Sequence, residues 1–524
     1  MPMLRGRLLI VAAILVAIGT AALYATRLSH APIYLIHDEV NFSLQAISVA
    51  STGRDLNGRL LPVYFSEPEF PAGRDPMMIY ATALGLTVMP LSDAAVRIPT
   101  ALVGVLIVVL VLVLHARLTT SPWMPLAAAL LLALSPGLFI HSRLALSVIY
   151  PLPFVLLWLI ALHEYDRRPR PWLLGAGTAS LGLGIYGYLA GVIMMPLYLA
   201  ATVWCVRAWR NPRLLAWIAA GFGVVLLPIV FWHVAHPERY AELLQAYRMD
   251  GRAASGIAPA LSVEGVRLRL GAWWQYFNPE FLFLAGDTSM TNSTRTAGFF
   301  PIAFAVLLPL GIARLWHGSR FERLLVLGFI TGPLAAVATG TLDLNRYRAM
   351  FVLPFGALVA VHGLEQLWAS RAAWRQAAAV VLIASVPLQF AGFYRDYMGR
   401  YRDASSVWFG GNIKGALAEV FQRREQGDAL LVSERVPYGD AYTRFYSQVW
   451  NETRPPEAPI LVDGSTFDLN GVEAGSWLIA AANEGWLSRL TPGGWERVAA
   501  ITEPSGTTSF LVYRRRTPSA SSAQ

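Results

Sequence analysis

The chain has 524 residues, of which 55% are apolar and only 14% charged, and its mean hydropathy is +0.47. A soluble protein of this length needs more surface charge, and several apolar runs approach the ~20 residues that cross a bilayer's hydrocarbon core; the chain reads as a polytopic membrane protein. The formal charge of +9 comes from arginine, Lys414 being the one lysine. In a membrane protein such a surplus marks cytoplasmic loops, so no nucleic-acid partner is expected.

Residues 8–26 form the first apolar run, preceded by two arginines and followed by no small-residue cleavage site. They read as an uncleaved anchor with its N-terminus inside. Further spans are expected at 95–116, 121–140, 144–162, 172–187, 189–206, 214–233, 298–315, 323–340, 349–368 and 373–392, about eleven in all. The segments this places inside are "MPMLRGR", "HARLTT", "HEYDRRPRP", "RAWRNPR", "RLWHGSRFER" and "ASRAAWR". They hold fourteen arginines against three acids, the bias expected of cytoplasmic loops. The outer face then carries the long loops 27–94 and 234–297, and everything after residue 392. Met77–Leu91 is too short to span and is expected as a helix in or dipping into the interface.

Just beyond the first span, Asp38 and Glu39 stand side by side in "HDEVNFSLQAIS". Val40, Leu44 and Ile47 fall on one helical face, with Asn41, Gln45 and Ser48 on another, which predicts an amphipathic helix on the bilayer surface. Asp38 suits an N-cap and Glu39 the positive end of the helix dipole. A carboxylate held there is also placed to take a proton from an incoming hydroxyl. His233 and His236 have i, i+3 spacing but no acidic or cysteine partner nearby, which argues against zinc. Trp273, Trp274, Tyr276 and Phe277 suit either sugar stacking or an interfacial aromatic belt. Cys205 is alone in an apolar run and can form no internal disulfide.

Residues 1–392 thus form the membrane domain. From 393 to 514 the pattern changes. "DALLVSERV", "APILVD", "SWLIAAAN" and "TSFLVYRR" read as short buried strands, and "GNIKGALAEVFQRRE" and "DAYTRFYSQVW" as helices. A small α/β domain outside the membrane is expected, without a nucleotide site, since "FGGNIKG" follows no strand. Residues 515–524 read as a disordered tail.

Four stretches carry a family resemblance. "HDEVNFSLQAISVASTGRDLNGRLLPVYF" followed by "AAVRIPTALVGVLIVVLVLVLHARL", with Arg97-Ile98-Pro99 opening a span, resembles the start of polyprenyl-phosphate-sugar-dependent glycosyltransferases of the GT-C fold. "WWQYFNPEFLFLAGDTSMTNSTRTAGFFP" and "LDLNRYRAMFVLPFGALVAVHGLEQL" are similar to an outer loop and a late span of that group. Protein O-mannosyltransferases and the lipid A aminoarabinose transferase are the relatives, and the likeness covers about the first 390 residues. It implies a polyprenyl-phosphate sugar donor at the outer leaflet of the bacterial plasma membrane and inverting transfer to an acceptor hydroxyl. It also implies Asp38 as general base, oriented by Glu39, which could alternatively orient the acceptor. A leaving phosphate needs cations, and arginine matches it bidentately; the outer-facing candidates are Arg74, Arg143, Arg295, Arg346 and Arg348. Such relatives carry a second aspartate near 140–151, where this chain has "FIHSRLALSVIYPLPF" with His141 and Arg143 but no acid. A metal-independent reaction without cofactor is therefore expected.

The competing expectations are a transporter or flippase, which would place charges near the midplane of its spans, and a polysaccharide polymerase or ligase acting on polyprenyl-linked sugars. The sparse acids within the spans and the early Asp-Glu pair favour the glycosyltransferase.

Overall fold

The computed structural model describes residues 2–67, 70–237, 262–339, 346–425, 427–450, 458–490 and 494–516. Contacts divide the chain into two compact units. The first comprises Met1–Thr26, Gly53–Ala81 and Arg97–Arg395; the second comprises Arg27–Thr52, Thr82–Val96 and Asp396–Gln524.

The first unit is helical. Arg7–Ala25, Asp93–Leu118, Ser147–Arg167, Arg320–Ala338 and Ala373–Met398 are long and apolar enough to cross a membrane. Among the described residues two bent pairs, Met124–Ala133 with Pro136–Ser142 (62°) and Pro212–Val224 with Leu227–Ala235 (51°), raise the number from five to seven if each pair is one span. Both second helices open on proline, at Pro136 and Pro228, which lacks an N–H and clashes with the carbonyl four residues back, ending the preceding helix. Pro171–Gly184, Gly191–Val206, Phe304–Trp316 and Val352–Trp368 fill the remaining expected positions, but with only 14, 16, 13 and 17 residues. The apolar pattern thus located the helices, while length and composition alone qualify five to seven of them as spans.

Helices pack closely where glycine removes the side chain. A Cβ placed on Gly311 would lie 1.9 Å from Val359 O, and one on Gly363 would lie 2.1 Å from Leu307 O. The helices Phe304–Trp316 and Val352–Trp368 therefore meet backbone to backbone, as small residues permit in membrane proteins. The first helix behaves differently: Leu8, Ile10, Val11, Ile14, Leu15 and Ile18 are all exposed, a surface suited to lipid rather than water. Its C-terminal end is held by Tyr24, whose hydroxyl donates to Ala133 O (2.9 Å) and whose ring meets Phe139 edge-on. The loop after residue 52 contains an antiparallel hairpin, β1 (Phe65–Glu67) and β2 (Phe70–Arg74).

The second unit holds a five-stranded sheet of β3 (Leu430–Ser433), β4 (Ile460–Val462), β5 (Trp477–Ala481), β6 (Trp495–Thr502) and β7 (Thr508–Arg515). The order is β4-β3-β5-β7-β6, with β3 parallel to β4 and β5 and the remaining pairs antiparallel. Leu431, Leu478, Trp486, Trp495 and Tyr513 anchor its core. Four strands and the helices Ile413–Arg423 and Gly439–Val449 lie where expected. The fifth strand, β6, was not expected. It is a sheet edge with only Trp495 and Ile501 buried, so its sequence lacks the continuous apolar run of a central strand. The one lysine also belongs here, Lys414 Nζ lying 2.6 Å from Asp93 Oδ2.

Candidate functional site

Within the second unit, the helix His37–Thr52 begins two residues earlier than an Asp38 cap would require. Glu39 Oε2 accepts from Ile36 N at 3.0 Å, so Glu39 supplies the reach-back half of a capping box and Asp38 sits inside the first turn. The two carboxylates differ in access: Glu39 is wholly buried, whereas the Asp38 side chain is 30% exposed. The helix is also more enclosed than an amphipathic surface helix, because Ser43 and Gln45 are buried along with Val40 and Leu44. Of its polar face Gln45 is buried and Asn41 and Ser48 are half-buried, and the helix packs on the helix Gly439–Val449. The chain leading into it is tied down on both sides. Tyr34 OH donates to Glu503 Oε2 (3.1 Å), whose other oxygen accepts from Asn412 N (2.7 Å), and Tyr442 OH donates to Leu35 O (2.8 Å).

The expected phosphate-binding arginines lie in the first unit and have distinct environments. Arg143 is fully buried, and its Nη1 donates to Tyr24 O (2.7 Å) and Thr26 O (2.8 Å). These carbonyls lie at the C-terminal end of the first helix, where they have no intrahelical donor; a guanidinium there satisfies them and the helix dipole together. Arg295 is exposed, has φ +60° and folds back so that Nε donates to Thr288 O at 2.6 Å. Arg348 is buried with its guanidinium 5.9 Å from the Tyr347 ring centre. It sits in a 3-10 turn, Arg346–Ala349, shortly before the helix Val352–Trp368; the Arg346 side chain lies outside the described residues. Arg74 ends β2, and its neighbour Asp75 accepts from Leu189 N through Oδ2 (3.0 Å). Desolvation pushes the Asp75 carboxyl up to about 7, against the opposing pull of that N–H and of Arg74. A narrow cleft of about 10 Å³ is bordered by His141, Asp287, Asn292, Phe299 and Tyr347, room for a single water. Among the described residues no group of three or more His, Cys, Asp or Glu could hold a metal ion.

A family model described as dolichyl-phosphate-mannose-protein mannosyltransferase matches residues 69–232. The crystal structure of ArnT from Cupriavidus metallidurans bound to undecaprenyl phosphate is similar at TM-score 0.61 and 15% identity, covering 98% of each chain. The apo form of that ArnT is similar at TM-score 0.59 and 14% identity, covering 97% of each. The chain has the GT-C fold. The S. cerevisiae Pmt1-Pmt2 complex bound to its sugar donor aligns over 45% of this chain and 34% of that one, at 16% identity and TM-score 0.34, too weakly to support an argument. No curated protein sequence matches.

The GT-C likeness extends through the sheet unit, since the ArnT alignment covers nearly the whole chain. Two features of this protein leave no mark on the sequence. Asp75 carries no sequence signal, because its desolvation arises from packing that the sequence does not display. His37 and Tyr438 drew no attention because they come from opposite ends of the chain, yet their rings stack at 4.2 Å and 3°.

Proposed function

We propose that this GT-C protein transfers a sugar from a polyprenyl-phosphate donor to an acceptor hydroxyl at the outer face of the bacterial plasma membrane. Asp38 acts as general base. The acceptor O–H gives its proton to Asp38, the oxygen bonds to the anomeric carbon, and the sugar–phosphate bond breaks. Its electron pair leaves with polyprenyl phosphate, inverting the sugar carbon. The observation that carries this reading is the contrast between the paired acids: Glu39 is buried and accepts from Ile36 N at the helix start, whereas the Asp38 side chain beside it is 30% exposed. The donor class draws support from the undecaprenyl phosphate bound to ArnT and from the dolichyl-phosphate mannose named by the family model. Arg348, Arg346, Arg74 and Arg295 are the phosphate-binding candidates, and Arg143 serves the first helix instead. Residues 1–392 form the membrane part with a cytoplasmic N-terminus, and 393–514 form an outer domain.

The transporter reading loses support from the place of Glu365 in the first unit. Glu365 meets Arg314 (2.9 Å) and His115 (3.3 Å) within the last turn of three helices, so its charge is compensated by Arg314 at a helix end.

Asp38→Asn tests the proposal, since it preserves shape and removes basicity. Purified protein would be added to source-strain membranes lacking its gene, which supply the acceptor, with radiolabelled undecaprenyl-phosphate sugars as donors. Transfer should fall about 10²-fold or more while the variant remains monodisperse. Wild-type turnover by Asp38→Asn would refute the base assignment.

A further inference from the structure

The same end of the second unit carries a feature that neither the fold nor the paired acids require. β3 lies between two parallel neighbours, β4 and β5, and the chain leaves its C-terminal end through Glu434–Tyr438 into the helix Gly439–Val449. In open α/β sheets the C-terminal ends of parallel strands are where ligands and reacting groups collect. Tyr438 closes that loop with φ +56°, a left-handed conformation that costs energy for a bulky side chain and marks a position held by its surroundings. The ring so presented lies flat on His37, with centroids 4.2 Å apart and planes 3° from parallel. His37 Nε2 in turn lies 3.6 Å from Asp38 Oδ1. His37 and Asp38 share the first turn of one helix, so the stack sets where the imidazole stands against the carboxylate.

We infer that His37, clamped by Tyr438, is the positioning residue for Asp38, and that the sheet unit thereby forms part of the catalytic machinery. This rests on the general-base reading above. The imidazole beside the carboxylate restricts the rotamers Asp38 can take, so that its oxygen meets the acceptor hydroxyl in one orientation. Misplacing a reacting group by an ångström costs rate without weakening distant binding.

The test uses the full-length protein in the membrane assay described above, with the undecaprenyl-phosphate sugar that the wild type turns over. Tyr438→Gly removes the ring and suits the left-handed backbone; His37→Phe keeps the stack and removes the nitrogens. Each should lower kcat about tenfold with the donor KM unchanged within about twofold. The double variant should lose no more than either single one, because both act through one arrangement. Tyr438→Phe should recover most of the rate. Size-exclusion chromatography and an unfolding curve accompany each variant, and a purely structural role would move stability without this split. Wild-type kcat in both variants, with Asp38→Asn inactive, overturns the positioning role and leaves the base assignment standing. Full turnover by Asp38→Asn overturns both.

Discussion

Removing Arg143 should weaken the fold and leave lipid-phosphate binding intact. On the topology expected from the arginine distribution it stands at the outer end of a span, against the usual charge bias, which suggests a ligand contact. The structure instead directs its Nη1 to Tyr24 O and Thr26 O. Hydrogen bonds from a charged donor contribute about 1.5–3 kcal/mol each. Thr26 is exposed, so water can replace the bond to its carbonyl, whereas Tyr24 is fully buried and its carbonyl would be left unsatisfied. The loss expected for Arg143→Ala is therefore nearer one bond than two, about 2–3 kcal/mol. Arg143→Lys should recover roughly half, since both bonds come from Nη1 and lysine carries its ammonium on a side chain one atom shorter. Equilibrium unfolding in mixed detergent micelles measures the stability, and titration with undecaprenyl phosphate measures binding. A variant that unfolds like the wild type but binds the lipid weakly would refute the capping role and return Arg143 to the phosphate site.

Arg348→Ala should weaken undecaprenyl phosphate binding by about 1.5–3 kcal/mol, with Arg348→Lys intermediate; unchanged affinity would remove it from the site. Asp75, raised from the ordinary 3.8 to about 7, binds its proton more tightly in the folded protein than in the unfolded chain. Its contribution to stability is complete below pH ~4 and lost as pH rises through ~7. Asp75→Asn should then unfold at higher denaturant than the wild type above pH 7 and converge with it near pH 4, and a difference constant with pH would contradict this. A reporter active only in the periplasm should work when fused after Arg402, whereas activity of a cytoplasm-only reporter there would reverse the orientation.

The sequence by itself determined the features that depend on local pattern. Apolar runs with arginine-rich ends located the helices, because a helix in lipid must satisfy its own backbone and needs only a continuous apolar surface to do so. Short apolar runs between turn residues likewise located β3, β4, β5 and β7, and the Asp-Glu pair marked the start of the helix that carries the candidate base. The tertiary structure decided everything that depends on distant partners. Glu39 and Asp38 are adjacent and chemically alike; that one is buried and the other partly exposed is decided by tertiary packing. Arg143 found its acceptors more than a hundred residues earlier in the chain, where no spacing rule could place them. β6 lacked a strand signature because, as a sheet edge, it pairs with β7 alone and buries few of its side chains. His37 meets Tyr438 only because the loop after β3 folds to a left-handed turn, and a stack between opposite ends of a chain leaves no periodicity to read.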